Sequence, residues 1–474
     1  MGIPSVNTVR PAAAPPHRTK AAVRDLADTR VIDYPEPIAV SDTGYAALLA
    51  GMVAASRRFR DAAAASIAKR ARTLFGTTEP TPNQLVKTTF AHRDFGRTKT
   101  KILDDPAACA MIDRALTAPA DRIALLCTGF PMKVFNPLET EYGGHNTDLG
   151  DAAVILRFTE LADVLNRFAQ PLGKTFNVSV ISDGIMNEGM FKVGGNTTAA
   201  YVSNLQRLTG RLGAHSHVTI EEFTTLLGAR RSPYEAAVAA AKTHAHTHLP
   251  PAPNPADLAT ALTAATNQEN DTYGTVSFTD VFNSTIGSVR YPEIEHLAHY
   301  YTTDFTTTYY LIIGSILWGQ EIADTKTYET ITEEFPETMR NDFLNDSRNL
   351  QKEVLAKAWH STIEYLAVLN ANRTTDILTA LHPAGIRLTT RPKPGQIGAH
   401  TADQTNPALF SYHSIPVIAP SHKGKHVKLD FALRATALIG SYQPITHNGV
   451  AVAYLHPELD HTDLTALPWR RGTK

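Results

Sequence analysis

Cysteine is nearly absent: the 474-residue chain has two, Cys109 and Cys127. Two thiols so far apart make neither a disulfide framework nor the paired spacing of a zinc ribbon, and a reducing compartment suits them best. Excess charge of one sign is missing too, with 45 Lys and Arg against 46 Asp and Glu and a formal net charge of −1. That balance gives no bulk attraction to nucleic acid or anionic membranes, so a general polyanion binder is excluded. The longest mostly apolar stretches, Ala46 to Ala55 and Tyr309 to Trp318, reach about half of the ~20 residues needed to cross a bilayer. Met1 to Lys20 lacks the continuous apolar core of a secretory signal. The expected address is the cytoplasm. What the chain does have is apolar bulk: 43% of it is hydrophobic, enough for two or three packed units at ~100–200 residues per domain.

Residues 1–40 are punctuated by Pro15, Pro16, Pro35 and Pro37, offer little to bury and read as a flexible arm. From Tyr45 to Leu74, apolar and alanine positions alternate with Arg57, Arg58, Arg60, Lys69, Arg70 and Arg72 in a helical rhythm, which makes a solvated basic face. Between Arg122 and Leu212 the periodicity switches in the order of a βαβ unit. Ile123 to Phe130 is a short apolar run closed by Pro131, and Phe176 to Ile181 is a second one ending at Ser182-Asp183-Gly184. Between them Val154, Phe158, Leu161, Leu165 and Phe168 fall at spacings of four, three, four and three, one face of a helix. Asp151 sits in its first turn, where the dipole favours a carboxylate. A right-handed crossover lays the two strands parallel and adjacent.

Tyr201, Leu205, Leu208 and Leu212 mark a further helix, and Thr219 with Glu222 reads as the capping box of another. The fold class is therefore α/β, with a Rossmann-like parallel sheet core over residues 41–235 and flanking helices. Residues 236–270 turn to Ala, Thr, His and Pro and read as an insertion or linker. Residues 271–372 form a long helical segment. Residues 373–474 hold β-like runs at Ile386 to Thr390, Phe410 to Ile418, Val427 to Phe431 and Val450 to Leu455, and this part is expected to complete the active site.

In a parallel α/β sheet, ligands bind beyond the carboxyl ends of the strands. Lys133 follows the first strand and Asp183 closes the second. A lysine there can hold a phosphate, activate a carbonyl or form an imine, and a partly desolvated aspartate can move protons. A loop lysine and a turn aspartate are the bland alternative. Farther on, Arg387 and Arg391 are four residues apart and share a face of an extended strand. They suit a phosphate or a carboxylate, or else a solvated face. His413 is an acid or base, or a core-edge histidine.

In their order these pieces resemble the isocyanide (isonitrile) synthase family of pyoverdine/dityrosine biosynthesis. The resemblance covers roughly residues 122–212 and 385–418. Its Pro-x-Lys-x-x-Asn loop is matched by Pro131, Lys133 and Asn136, and its acidic step before a helix by Asp148 and Asp151. Its Ser-Asp-Gly strand end is matched by Ser182, Asp183 and Gly184, its Arg-Leu-Ser strand with a Lys-Pro-Gly tail by Arg387 to Gly395, including Lys393, and its aromatic-His pair by Tyr412 and His413. The chain departs from the pattern in having Asp151 for glutamate, Arg391 for histidine and Ser411-Tyr412-His413 for Pro-Trp-His.

The resemblance implies condensation of the amino group of an L-amino acid with ribulose 5-phosphate to give an isonitrile in secondary metabolism. It implies no cofactor and no metal, and an iron/2-oxoglutarate oxygenase as a pathway partner. Asp183 and His413 are then the candidates for proton transfer. Lys133, Arg387 and Arg391 would face the phosphate, or Lys133 would activate the ketone; Lys393 would bind substrate, Asn136 and Ser182 would position hydroxyls, and Asp148 or Asp151 would receive the substrate ammonium. Three other readings stand beside this one. A related enzyme would release an N-formyl product, and an inactive relative would only bind sugar phosphate. A metal-dependent hydrolase or oxygenase would use His244, His246 and His248 or the stretch from His456 to Asp463.

Overall fold

The computed structural model describes residues 36–96, 102–130, 145–182, 195–248, 367–368, 371–372, 375, 377–389, 395–399, 415–421, 425–432, 442–462, 464 and 468–470. In chain order the elements begin with β1 (Ile38–Val40), α1 (Asp42–Phe75), α2 (Pro82–Phe90), α3 (Pro106–Thr117), β2 (Arg122–Thr128), α4 (Leu149–Ala169) and β3 (Thr175–Ser182). There follow α5 (Gly195–Arg211), β4 (Val218–Glu222), α6 (Phe223–Leu227), α7 (Arg231–His248), α8 (Ile377–Leu381), β5 (Ile386–Thr389) and β6 (Ile397–Gly398). The last four are β7 (Ile415–Pro420), β8 (Val427–Ala432), β9 (Gln443–His447) and β10 (Val450–Leu455).

Two five-stranded sheets organise these residues. The first is wholly parallel, in the order β4-β3-β2-β5-β6. Counting its own strands along the chain, that is 3-2-1-4-5, the doubly wound arrangement whose order reverses between its first and fourth strands. The fold is thus an α/β, Rossmann-like one. Along β2, Ile123, Leu125 and Cys127 join the main core with α1, α2 and α4, while Leu126 packs with Ile181 against Phe223, Leu227, Tyr234, Ile377 and Leu378. Both faces of the sheet are therefore covered, as its continuous apolar strands require.

The second sheet is mixed, in the order β1-β9-β10-β7-β8. Helix α4 touches β7, β8 and β10 as well as β3. Of its 21 residues, 16 are buried, so the single apolar face read from the spacing understates it: the helix is covered on both sides by sheets.

Several expectations change in detail. The last residues of the expected arm, Ile38–Val40, form a strand parallel to β9. Thr219 caps nothing. It lies inside β4, whose Val218 and Ile220 are buried, and Glu222 alone caps α6 through the Thr224 and Thr225 amides at 3.0 and 2.8 Å. The expected insertion opens as helix, because α7 runs through the alanine-rich stretch to His248, and alanine is the best helix former. The helical segment expected over 271–372 lies outside the described residues except for short helical pieces at 367–368 and 371–372. Among the described residues no helix is long and apolar enough to cross a membrane.

Candidate functional site

The sheet's order reverses between β2 and β5, and a doubly wound sheet opens its crevice beyond the carboxyl ends of such strands. The exit of β2 is tightly fixed. Gly129 donates to the Ile181 carbonyl at 3.1 Å, and Phe130 takes a positive φ of 56°, a conformation that a bulky residue holds only when its surroundings impose it. Ser182, fully buried at the tip of β3, donates its hydroxyl to the Phe130 carbonyl at 2.9 Å. Its side chain therefore ties the two strand tips together.

Helix α4 begins at the same edge with a reciprocal capping box. The Asp148 carboxylate accepts from the Asp151 amide at 3.1 Å, and the Asp151 carboxylate accepts from the Asp148 amide at 3.0 Å. Asp151 is completely buried, and its other oxygen accepts from the Tyr201 hydroxyl of α5 at 2.8 Å. Asp148 is half-buried. In a dinucleotide-binding Rossmann protein this first helix start carries glycines and receives a pyrophosphate. Here two carboxylates fill that place, so the positive end of α4 is already neutralised and repels phosphate.

Tyr45 of α1 borders the pair. Burial first, and then the charges of Asp148 and Asp151, push its phenol well above the ordinary tyrosine value. Its ring stacks on His447 of β9 with centroids 4.4 Å apart, and His447 meets Asp42 at 2.7 Å. Asn204 of α5 donates to the His145 carbonyl at 2.7 Å, a further tie between α5 and the chain leading into α4.

Of the residues expected from the sequence, Asp148 and Asp151 share the start of α4, and Ser182 closes β3. Arg387 stands apart from them. It is exposed and in register with Leu126 and Ser179, three residues before Ser182 and therefore on the opposite face. At ~3.3 Å per residue that sets it about 10 Å back from the strand tip. Lys133, Asn136, Asp183, Arg391, Lys393 and His413 lie outside the described residues. The nearest preceding described residues for Asp183, Lys133 and Arg391 are Ser182, Phe130 and Thr389, at the ends of the adjacent strands β3, β2 and β5.

Sequence reasoning missed Tyr45 and Tyr201. Both sit at apolar helix positions, and nothing in the spacing tells a core tyrosine from one whose hydroxyl serves a carboxylate. Among the described residues no group of three or more His, Cys, Asp or Glu side chains gathers to hold a metal ion.

No protein-family model matches the chain, and no curated protein matches it. Among solved structures, the crystal structure of the PvcA protein from Pseudomonas aeruginosa superposes with a TM-score of 0.43 at 15% identity, covering 80% of this chain and 100% of that one. A similarity this weak carries no argument about activity. The class is set by the chain's own strand order: an α/β protein of doubly wound type, with an acidic box where nucleotide-binding relatives of that architecture place phosphate.

Proposed function

We propose that the protein is an isonitrile synthase-like enzyme that joins the amino group of an L-amino acid to ribulose 5-phosphate. The observation that carries this reading is the side-by-side ending of β3, β2 and β5, because the sequence sets Asp183, Lys133 and Arg391 one, three and two residues beyond Ser182, Phe130 and Thr389. In the sequence, three separate motifs of the resemblance thus follow strands that end along one sheet edge, and ligands of such sheets bind beyond those ends. The acidic box at the start of α4 adds the complement to an ammonium group.

The chemistry assigns the roles. The substrate amine loses a proton, attacks the ketone and expels water as an imine forms; later carbon–carbon cleavage and phosphate loss need further proton transfers. Asp183 and His413 carry these transfers. Lys133, Arg391 and Lys393 neutralise the phosphate, and the Lys133 ammonium can also polarise the ketone. Arg387, farther back on the other face, adds charge only. Asn136 orients a sugar hydroxyl, and Asp148 receives the ammonium. Asp151 and Ser182 are positioning residues, since their polar atoms are engaged by Tyr201, by the Asp148 amide and by the Phe130 carbonyl.

The test is incubation with ribulose 5-phosphate and the twenty amino acids, read by mass spectrometry. An isonitrile product is expected, abolished by Lys133→Ala and by Asp183→Asn. A product heavier by one water assigns the formamide reaction instead. No nitrogen-containing product from any amino acid overturns the proposal.

A further inference from the structure

A serine hydroxyl is a weak nucleophile until a base takes its proton, and the base works best when a third group fixes its tautomer. Those three parts meet where α1 passes the turn that follows α2. Ser66 of α1 has its Oγ 3.3 Å from His92 Nε2, and His92 Nδ1 lies 3.4 Å from Asp94 Oδ2. Hydroxyl, ring and carboxylate thus follow one another in the order of a Ser-His-Asp relay. The hydrogen bonds of unliganded catalytic groups are commonly this loose and tighten on substrate. Ser66 is 21 residues along α1 from Tyr45, roughly 30 Å of helix at 1.5 Å per residue, so the group lies well away from the acidic box.

The Asp94 amide also lies 3.4 Å from Nδ1 and would need a lone pair there. At equal distance the carboxylate makes the stronger, charge-assisted bond, so the ring proton sits on Nδ1 and the Nε2 lone pair faces Ser66. His92 is buried, Asp94 is half-buried and Ser66 is exposed. The base is therefore shielded while the nucleophile is open to solvent. Burial first, helped by Arg70, Arg93 and Arg157, holds the imidazole below its ordinary value against the pull of Asp94. A base must be neutral to act, and this one is neutral at pH 7. Arg157 is engaged by Glu160 at 3.6 Å and lies over the Phe95 ring. Arg70 and Arg93 are exposed, and Arg70 stands four residues after Ser66 on the same helix face. Their charge suits a developing oxyanion and a substrate that is itself anionic.

We infer that Ser66, His92 and Asp94 form a second active site, one that cleaves acyl esters bearing a negative charge. Ser66 Oγ attacks the acyl carbon as its proton passes to His92 Nε2. The tetrahedral oxyanion collapses, the bond to the leaving oxygen breaks, and that oxygen takes the proton from His92. Water then repeats the sequence on the Ser66 ester and frees the acid. Ser66 and His92 are the catalytic residues; Asp94, acting through His92, is a positioning residue.

The full chain is treated with a fluorophosphonate probe, and its rates on the p-nitrophenyl monoester of succinate and on p-nitrophenyl acetate are compared. The label is expected on the peptide that carries Ser66, with the anionic ester cleaved faster. Ser66→Ala should leave the circular dichroism unchanged, because alanine is the best helix former, while losing the label and about a hundredfold or more of the rate. Asp94→Asn should slow the reaction and move the acid limb of its pH profile to lower pH, since Asp94 is the group that raises the imidazole value; a scaffold role alone would leave that limb in place. No label on Ser66, an undiminished rate in Ser66→Ala, equal rates on the two esters, or an unmoved acid limb in Asp94→Asn each overturns the inference. Ser66 would then serve only as a hydrogen-bond partner for a buried histidine.

Discussion

Asp148 and Asp151 form one capping box, but their surroundings give them different work. Asp151 is sealed, with both oxygens engaged inside the protein. Asp151→Ala removes a cap and strands the Tyr201 hydroxyl, at a cost of about 2–4 kcal/mol in urea unfolding. Asp148 is half-buried, and asparagine caps helices as well as aspartate does. Asp148→Asn should therefore unfold within ~0.5 kcal/mol of the natural protein while losing amino-acid affinity in calorimetry. A loss of stability like that of Asp151→Ala would assign Asp148 to the scaffold alone. Tyr45 permits a pH test. Its folded value lies above the ordinary 10.0, so the folded state keeps a proton that the unfolded chain releases. That stability is complete below about pH 10 and fades as the pH rises beyond it. Tyr45→Phe should flatten the decline, as followed by circular dichroism between pH 9 and 12.

Two glycine and histidine positions decide how helices α1 and α2 meet the rest. Gly51 lies mid-helix in α1, where alanine ordinarily stabilises by ~1 kcal/mol. A Cβ there would overlap the indole of Trp469, which is itself buried and whose carbonyl accepts from Arg58 at 3.0 Å. Overpacking wins, so Gly51→Ala should destabilise by about 1–3 kcal/mol, and a rise in the melting temperature would show that the tail carrying Trp469 yields. His92, at the end of α2, is buried beside Ser66 at 3.3 Å and Asp94 at 3.4 Å. Burial holds its value below the ordinary 6.5; Asp94 opposes that shift, and Arg70, Arg93 and Arg157 reinforce it. Between the folded value and 6.5 the unfolded imidazole takes a proton that the folded one refuses. This stability is complete above about pH 6.5 and is lost as the pH falls. His92→Gln should make urea midpoints between pH 5 and 7 less dependent on pH.

At the scale of the whole molecule, the legible part was the local part. The four-three-four-three spacing marked α4, the two apolar runs marked β2 and β3, and their parallel, adjacent pairing followed from the handedness of the crossover. Asp148 and Asp151 were legible because a helix start has a residue signature. The neighbour of β2 on its other side was not legible: β5 arrives some 260 residues later in the chain, and no periodicity encodes a pairing across that distance. The mixed sheet was hidden for the same reason, since it joins β1 near one end of the chain to β9 near the other. This topology makes the C-terminal part integral to the core. Without β5, the central strand β2 would expose the amides and carbonyls of Leu125 to Cys127 as a bare edge, and without β7, β8 and β10 one flank of α4 would lose its cover. Both exposures favour association over folding. A fragment ending at His248 should therefore elute from size-exclusion chromatography as aggregates and show no cooperative urea transition, although it retains the whole βαβ unit. A monomeric fragment with a sharp transition would show that residues 36–248 fold by themselves and that the later strands only dock onto them.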